Sequence, residues 1–211
     1  MYNCYVQLCI NKNLFVLIFS PVPASVTDVV IALDGSSELS DGDFEKLKEF
    51  AKNIVNKFKI SKPGTHIGVI EYSDEVNVKI SLGSTHDPTH LKRLIDDITP
   101  SRGIQRFTAQ TLTKAAKEMF PVSFNGRPGA NRILVLVTAG PSTDVDGIAG
   151  ATKETEKAGV NVFVVSVKDP TDDVKDSIPD SNIVDAKGTD NLPSTVETLF
   201  KIIKKSIEES K

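Results

Sequence analysis

Asp34 closes the apolar run Val29-Val30-Ile31-Ala32-Leu33 and is followed at once by Gly35-Ser36-Ser37-Glu38. A carboxylate at the end of a strand is where phosphotransfer through an aspartyl phosphate keeps its nucleophile. One class of such enzymes uses a second aspartate two residues on as general acid and base. The residue there is Ser36, so the motif fails at its second member. Thr138 after a later apolar run and the pair Asp172-Asp173 resemble the remaining parts, which keeps an aspartyl-phosphate phosphotransferase as a remote alternative. The bland reading of Asp34 and Ser36 is that they cap the first helix and satisfy its free amides. His86 and His90 are four residues apart, but Pro88 between them marks a loop and a helix start, and His66 stands alone. No Gly-x-Gly-x-x-Gly follows the first strand, which excludes a dinucleotide site. The sequence is therefore read as non-enzymatic.

The elements that must position these residues alternate in period. Val29 to Leu33 is a continuous apolar run, as expected of a strand covered on both faces. Phe44, Leu47, Phe50, Ala51, Ile54, Val55 and Phe58 recur at helical spacing, and Pro63-Gly64 ends that helix. Ile67 to Ile70 and the alternating Val76, Val78, Ile80 and Leu82 flank Tyr72-Ser73-Asp74-Glu75, which predicts an antiparallel pair. Leu91 to Ile98 and Leu112 to Met119 predict two helices. The runs Ile133 to Val137 and Val160 to Val165 predict buried strands, with a helix from Ile148 to Ala158 between them. A short strand at Ile183-Val184 precedes a last helix whose face is Val196, Leu199, Phe200, Ile203 and Ile207. Strands alternating with helices predict an α/β fold: a doubly wound, mostly parallel six-stranded sheet with one antiparallel edge strand and helices on both faces. Ligands of such sheets bind at the carboxyl ends of strands where the strand order reverses, so the loops after Leu33, after Val137 and before Leu112 are the places to inspect.

Those loops carry a family likeness. Asp28 to Ser36, the hairpin Gly68-Val69-Ile70-Glu71-Tyr72-Ser73, the segment Thr111 to Ala116, and the strand Arg132 to Thr138 with Gly140 behind it occur in order. Together they resemble the von Willebrand factor A family, of the matrix and adhesion type found in matrilins, collagen VI and integrin inserted domains. The resemblance covers Asp28 to Ile207. It implies a metal-ion-dependent adhesion site: Asp-x-Ser-x-Ser after the first strand, a Thr on a middle loop and an Asp after the fourth strand. Hydroxyls would bind a hard divalent cation directly while carboxylates neutralise it through waters. Asp34, Ser36 and Thr111 match that pattern, whereas Glu38 stands at the second Ser and Ala139 at the Asp. The implied site is thus degenerate, with Mg2+ or another divalent cation held weakly or not at all. On this reading, Glu38→Ser together with Ala139→Asp recreates the ligand set. The resemblance implies an adhesion or protein-binding module whose partner is an extracellular protein or matrix component. The alternative is a metal-independent structural matrix domain that self-associates.

Composition agrees with a binding module. Lys and Arg number 25 against 28 Asp and Glu, so no basic stripe is available to neutralise phosphates, and nucleic acid is not expected as a partner. Lys201, Lys204 and Lys205 read as a solvated helix face. The first residues differ from the rest: Leu14 to Phe19 is apolar and Pro21-Val22-Pro23-Ala24 follows. This reads as a signal peptide over 1–24, cleaved after Ala24, too short to span a bilayer. Residues 25–211 are then one domain, secreted and extracellular. Cys4 and Cys9 both lie in the segment, so the processed chain carries no disulfide.

Overall fold

The computed structural model describes residues 26–168 and 172–209; the expected signal segment 1–24, with Cys4 and Cys9, lies outside the described residues. In chain order the regular elements are β1 (Thr27–Asp34), α1 (Asp41–Val55), β2 (Thr65–Tyr72), β3 (Val76–Ile80), α2 (Pro88–Asp96) and α3 (Thr108–Lys114). They continue with β4 (Asn131–Thr138), α4 (Ile148–Lys157), β5 (Val160–Ser166), α5 (Asp172–Lys175), β6 (Ile183–Asp185) and α6 (Leu192–Glu209). A π-helical turn, Ala115–Met119, extends α3.

The six strands lie in the order β3-β2-β1-β4-β5-β6, and only β3 runs antiparallel, at one edge. The fold is the α/β architecture that the periodicity predicts. The chain leaves β1 toward β2 on one side and returns through β4 on the other, so the order reverses between β1 and β4. Their register pairs Leu33 with Val137, which sets the last residues of both strands side by side.

Period-two alternation distributes the apolar residues to two cores. Val29, Ile31 and Leu33 face one core with α1, α2 and α6. Val30 and Ala32 face the other with α3 and α4. Helix α1 begins at a capping box in which Ser40 Oγ accepts from the Asp43 amide and Asp43 accepts from Ser40. Ser40 therefore supplies the cap that the sequence alone assigned to Asp34 and Ser36. At the far end of β1, buried Asp28 takes Arg127 Nε at 2.8 Å and the Arg127 amide at 2.8 Å. Arg127 also donates to the carbonyls of Gly64 and Thr27, so one cation joins three chain segments at the bottom of the sheet.

Ile31 is fully buried on the central strand. Ile31→Ala is expected to cost about 2–5 kcal/mol in urea unfolding, by lost transfer energy and a residual cavity, and a loss below about 0.5 kcal/mol would contradict this core.

Candidate functional site

At the carboxyl ends of β1 and β4 the chain builds a closed polar cleft. Asp34 is fully buried. Its Oδ1 accepts from the Ser36 amide at 2.9 Å and its Oδ2 from the Ala139 amide at 2.8 Å. Burial pushes the Asp34 carboxyl above its ordinary range, while Ser36, the Ala139 amide and the charge of Arg106 pull it back. Tyr72 pairs with Asp34 in the sheet, and its hydroxyl donates to the Val137 carbonyl at 3.1 Å. Burial, and then the nearby Asp34 charge, raise the Tyr72 phenol well above its ordinary value.

Three loops meet here. The Arg102 amide donates to Gly35 O and the Ser37 amide to Gly103 O, tying the loop after β1 to the loop before α3. Glu71, fully buried, accepts from the Ser101 amide at 2.9 Å and hydroxyl at 2.6 Å. A β-carbon at Gly35 would lie 1.9 Å from Glu71 Oε1, so only glycine lets the two strands end this closely. The loop after β4 joins through Arg106: its amide donates to Thr143 Oγ1 at 3.0 Å, its Nε to Pro141 O at 2.9 Å, and its carbonyl accepts from the Thr143 amide. Asp144 folds back from that loop and receives the Ala109 and Gln110 amides, capping α3 from a distant part of the chain.

The residues singled out from the sequence are thus distributed unevenly. Asp34, Ser36 and Ala139 come together. Glu38 is half exposed and paired with Lys168 at 2.9 Å. That hydrogen bond, then the Lys168 and Arg106 charges, hold its carboxyl below the ordinary range. Thr111 lies inside α3, where its hydroxyl donates to Phe107 O at 2.8 Å. Arg106, which the sequence reading passed over, is 8% exposed, and its guanidinium packs against Gly140, the residue after Ala139.

This arrangement does not fit a divalent cation. Thr111 is bonded within its helix, Glu38 is paired with a lysine and Ala139 offers no ligand atom, so of the residues that the resemblance singles out Asp34 and Ser36 alone keep donors for a cation. Ser36 Oγ and, at the same strand ends, Glu71 Oε2 are buried without a hydrogen-bonding partner of acceptable geometry. Among the described residues no group of three or more His, Cys, Asp or Glu is placed to hold a metal ion. Nor does Asp34 present itself as a nucleophile, since it is sealed from solvent and Ser36 occupies the place of a proton-transfer partner. None of the described helices is long and apolar enough to cross a membrane.

Comparison with known proteins agrees with the fold and the loops. The sequence profile of the von Willebrand factor type A domain matches residues 28–197. Human matrilin-1 is 30% identical over 155 residues, covering 71% of this chain and 30% of that protein. Rat von Willebrand factor is 31% identical over 119 residues, covering 56% of this chain and 28% of its own length. The chain therefore spans less than a third of either relative. Among solved structures, proximal thread matrix protein 1 from the mussel byssus superposes with a TM-score of 0.80 at 18% identity, covering 85% of this chain and 48% of that one. That protein is described with a zinc-occupied MIDAS motif; at this identity the likeness speaks for the fold.

Asp34→Asn is expected to destabilise the chain by about 1–3 kcal/mol near neutral pH, because the amide keeps one acceptor for two buried backbone donors. The native carboxyl, raised by burial, favours the fold most below its ordinary pKa, and that benefit fades as pH rises through the raised value. The variant should lose this part of the pH profile in urea unfolding. Wild-type stability and an unchanged profile would contradict the assignment.

Proposed function

The chain belongs to the von Willebrand factor type A domain family, and on that premise we propose that it is an extracellular binding module that engages a protein partner without a divalent cation. Its relatives are matrix and adhesion proteins, which supports a non-catalytic role outside the cell. Residues 1–24 fit that placement as a removable secretory signal.

One observation carries the proposal of a docking face. Around the closed cleft two large apolar side chains stand outward on adjoining loops, Ile104 at 75% and Val145 at 48% exposure. The loops that hold them are joined through the hydrogen bonds of Arg106 with Thr143. Exposed apolar groups rimmed by polar residues favour a protein partner over a small polar ligand. Glu38 and Lys168 add a neutral ion pair at the same strand ends.

The test is retention of the purified chain on a panel of immobilised extracellular matrix proteins, in magnesium and in EDTA. Saturable retention equal in both buffers is expected, with Ile104→Glu reducing it while leaving the melting temperature unchanged. Retention that vanishes in EDTA would overturn the metal-independent reading. Absence of retention, with concentration-dependent association in sedimentation velocity, would transfer the reading to a self-associating structural matrix domain.

A further inference from the structure

We propose that the Arg106 guanidinium is the resident cation of the cleft and that it excludes a divalent metal from it. The first ground is position. Nε is fixed by the Pro141 carbonyl at 2.9 Å, and Nη2 lies 3.1 Å from where a β-carbon on Gly140 would be. Gly140 follows Ala139, whose amide holds Asp34, so the guanidinium packs on the backbone next to that carboxylate's anchor. Arg106 is 8% exposed, and its Nη1 is buried without a hydrogen-bonding partner. Arginine is rarely buried to this degree unless its charge is compensated.

The second ground is charge. A divalent cation held by this fold's adhesion site is balanced by two carboxylates, one after the first strand and one after the fourth. Here the second carboxylate is replaced by Ala139, and the cation present is monovalent. The Asp34 carboxylate and the Arg106 guanidinium then share this end of the sheet, while the other buried carboxylate there, Glu71, is balanced by Lys79 at 3.5 Å. Glu38 leaves that balance unchanged because it is paired with Lys168. A divalent ion entering beside Arg106 would face a like charge in a site shut off from water, where repulsion is poorly screened.

A consequence separates this account from a simple loss of ligands. Glu38→Ser with Ala139→Asp restores the family's side chains at both departures, yet leaves the guanidinium in place. The new Asp would pair with Arg106 rather than bind metal. Only a third change, Arg106→Thr, frees the cleft. The inference deepens the metal-independent reading of this face, and its test needs no partner, so the two can fail separately.

The experiment compares wild type, the double variant and the triple variant of the full chain, by thermal unfolding and calorimetry in manganese or magnesium chloride. Wild type and the double variant are expected to show no binding heat and no rise in melting temperature. The triple variant should gain both, with melting raised by about 5 °C at saturating manganese. Equal metal binding by the double and triple variants, metal binding by wild type, or a folded triple variant that stays blind to metal would overturn the proposal. If the triple variant does not fold, Arg106→Lys and Arg106→Gln are compared on the Glu38→Ser, Ala139→Asp background. Manganese should stabilise the Gln form and leave the Lys form unchanged, and an equal response of the two would overturn the proposal.

Discussion

One buried carboxylate holds the working end of this protein together. Asp34 sits at the last position of the central strand and reaches across to the loop after β4, taking one backbone amide from its own loop and one from Ala139. Parallel strands need long crossovers between them, so their carboxyl ends have no hairpin to fix the loops that follow. A carboxylate that accepts two main-chain donors supplies that missing tie. The remaining contacts build on it. Gly35 lets Glu71 approach, Glu71 gathers Ser101, and the backbone bonds from Arg102 and Ser37 draw the loop before α3 against the first loop.

Burying a charge in this way is costly unless a counter-charge lies close. The mussel proximal thread matrix protein, which shares this fold, is described with zinc in its MIDAS motif. Here a covalently attached cation, the Arg106 guanidinium, is held by the Pro141 carbonyl against Gly140, one residue beyond the amide that anchors Asp34. A guanidinium has a fixed fork of donors and no affinity to tune, so a site closed by it offers no open coordination position to a partner's carboxylate. What remains for recognition is the rim, where Ile104 and Val145 are exposed. The proposal of apolar docking, in place of metal-bridged capture of an acidic residue, rests on that rim.

Much of the fold was legible in the residue pattern. The unbroken apolar runs at β1, β4 and β5 and the alternating β3 specify buried strands and an edge strand by period alone, and their order fixes the switch point where Asp34 lies. Asp34 and Ser36 were legible because Asp34 closes β1 and Ser36 stands two residues beyond it. Thr111 was not placed correctly in space by pattern, because the start of α3 is decided by Asp144, which caps it from 35 residues away and puts Thr111 in the helix interior. Arg106 escaped notice for a similar reason. Arginine in a loop is ordinarily a solvated residue, and its burial depends on Pro141 and Thr143, which only the return of the chain through β4 brings near. A signal was nonetheless present: Ala139 removes a charge that the family's site requires, and some neighbouring group had to answer for it. The Asp28 and Arg127 clamp at the other end of the sheet, spanning 99 residues, carried no local signature at all.

The central claim is that the cation resident at the carboxyl ends of β1 and β4 is Arg106 and not a metal. It is tested most directly by a crystal structure of the unmodified chain grown in millimolar manganese, with data collected at a wavelength where manganese scatters anomalously. The account predicts no anomalous peak at the carboxyl ends of β1 and β4, with the Arg106 guanidinium ordered against Gly140 and both Asp34 oxygens on the Ser36 and Ala139 amides. A manganese peak within bonding distance of Ser36 Oγ, with Arg106 swung out to solvent, would contradict it.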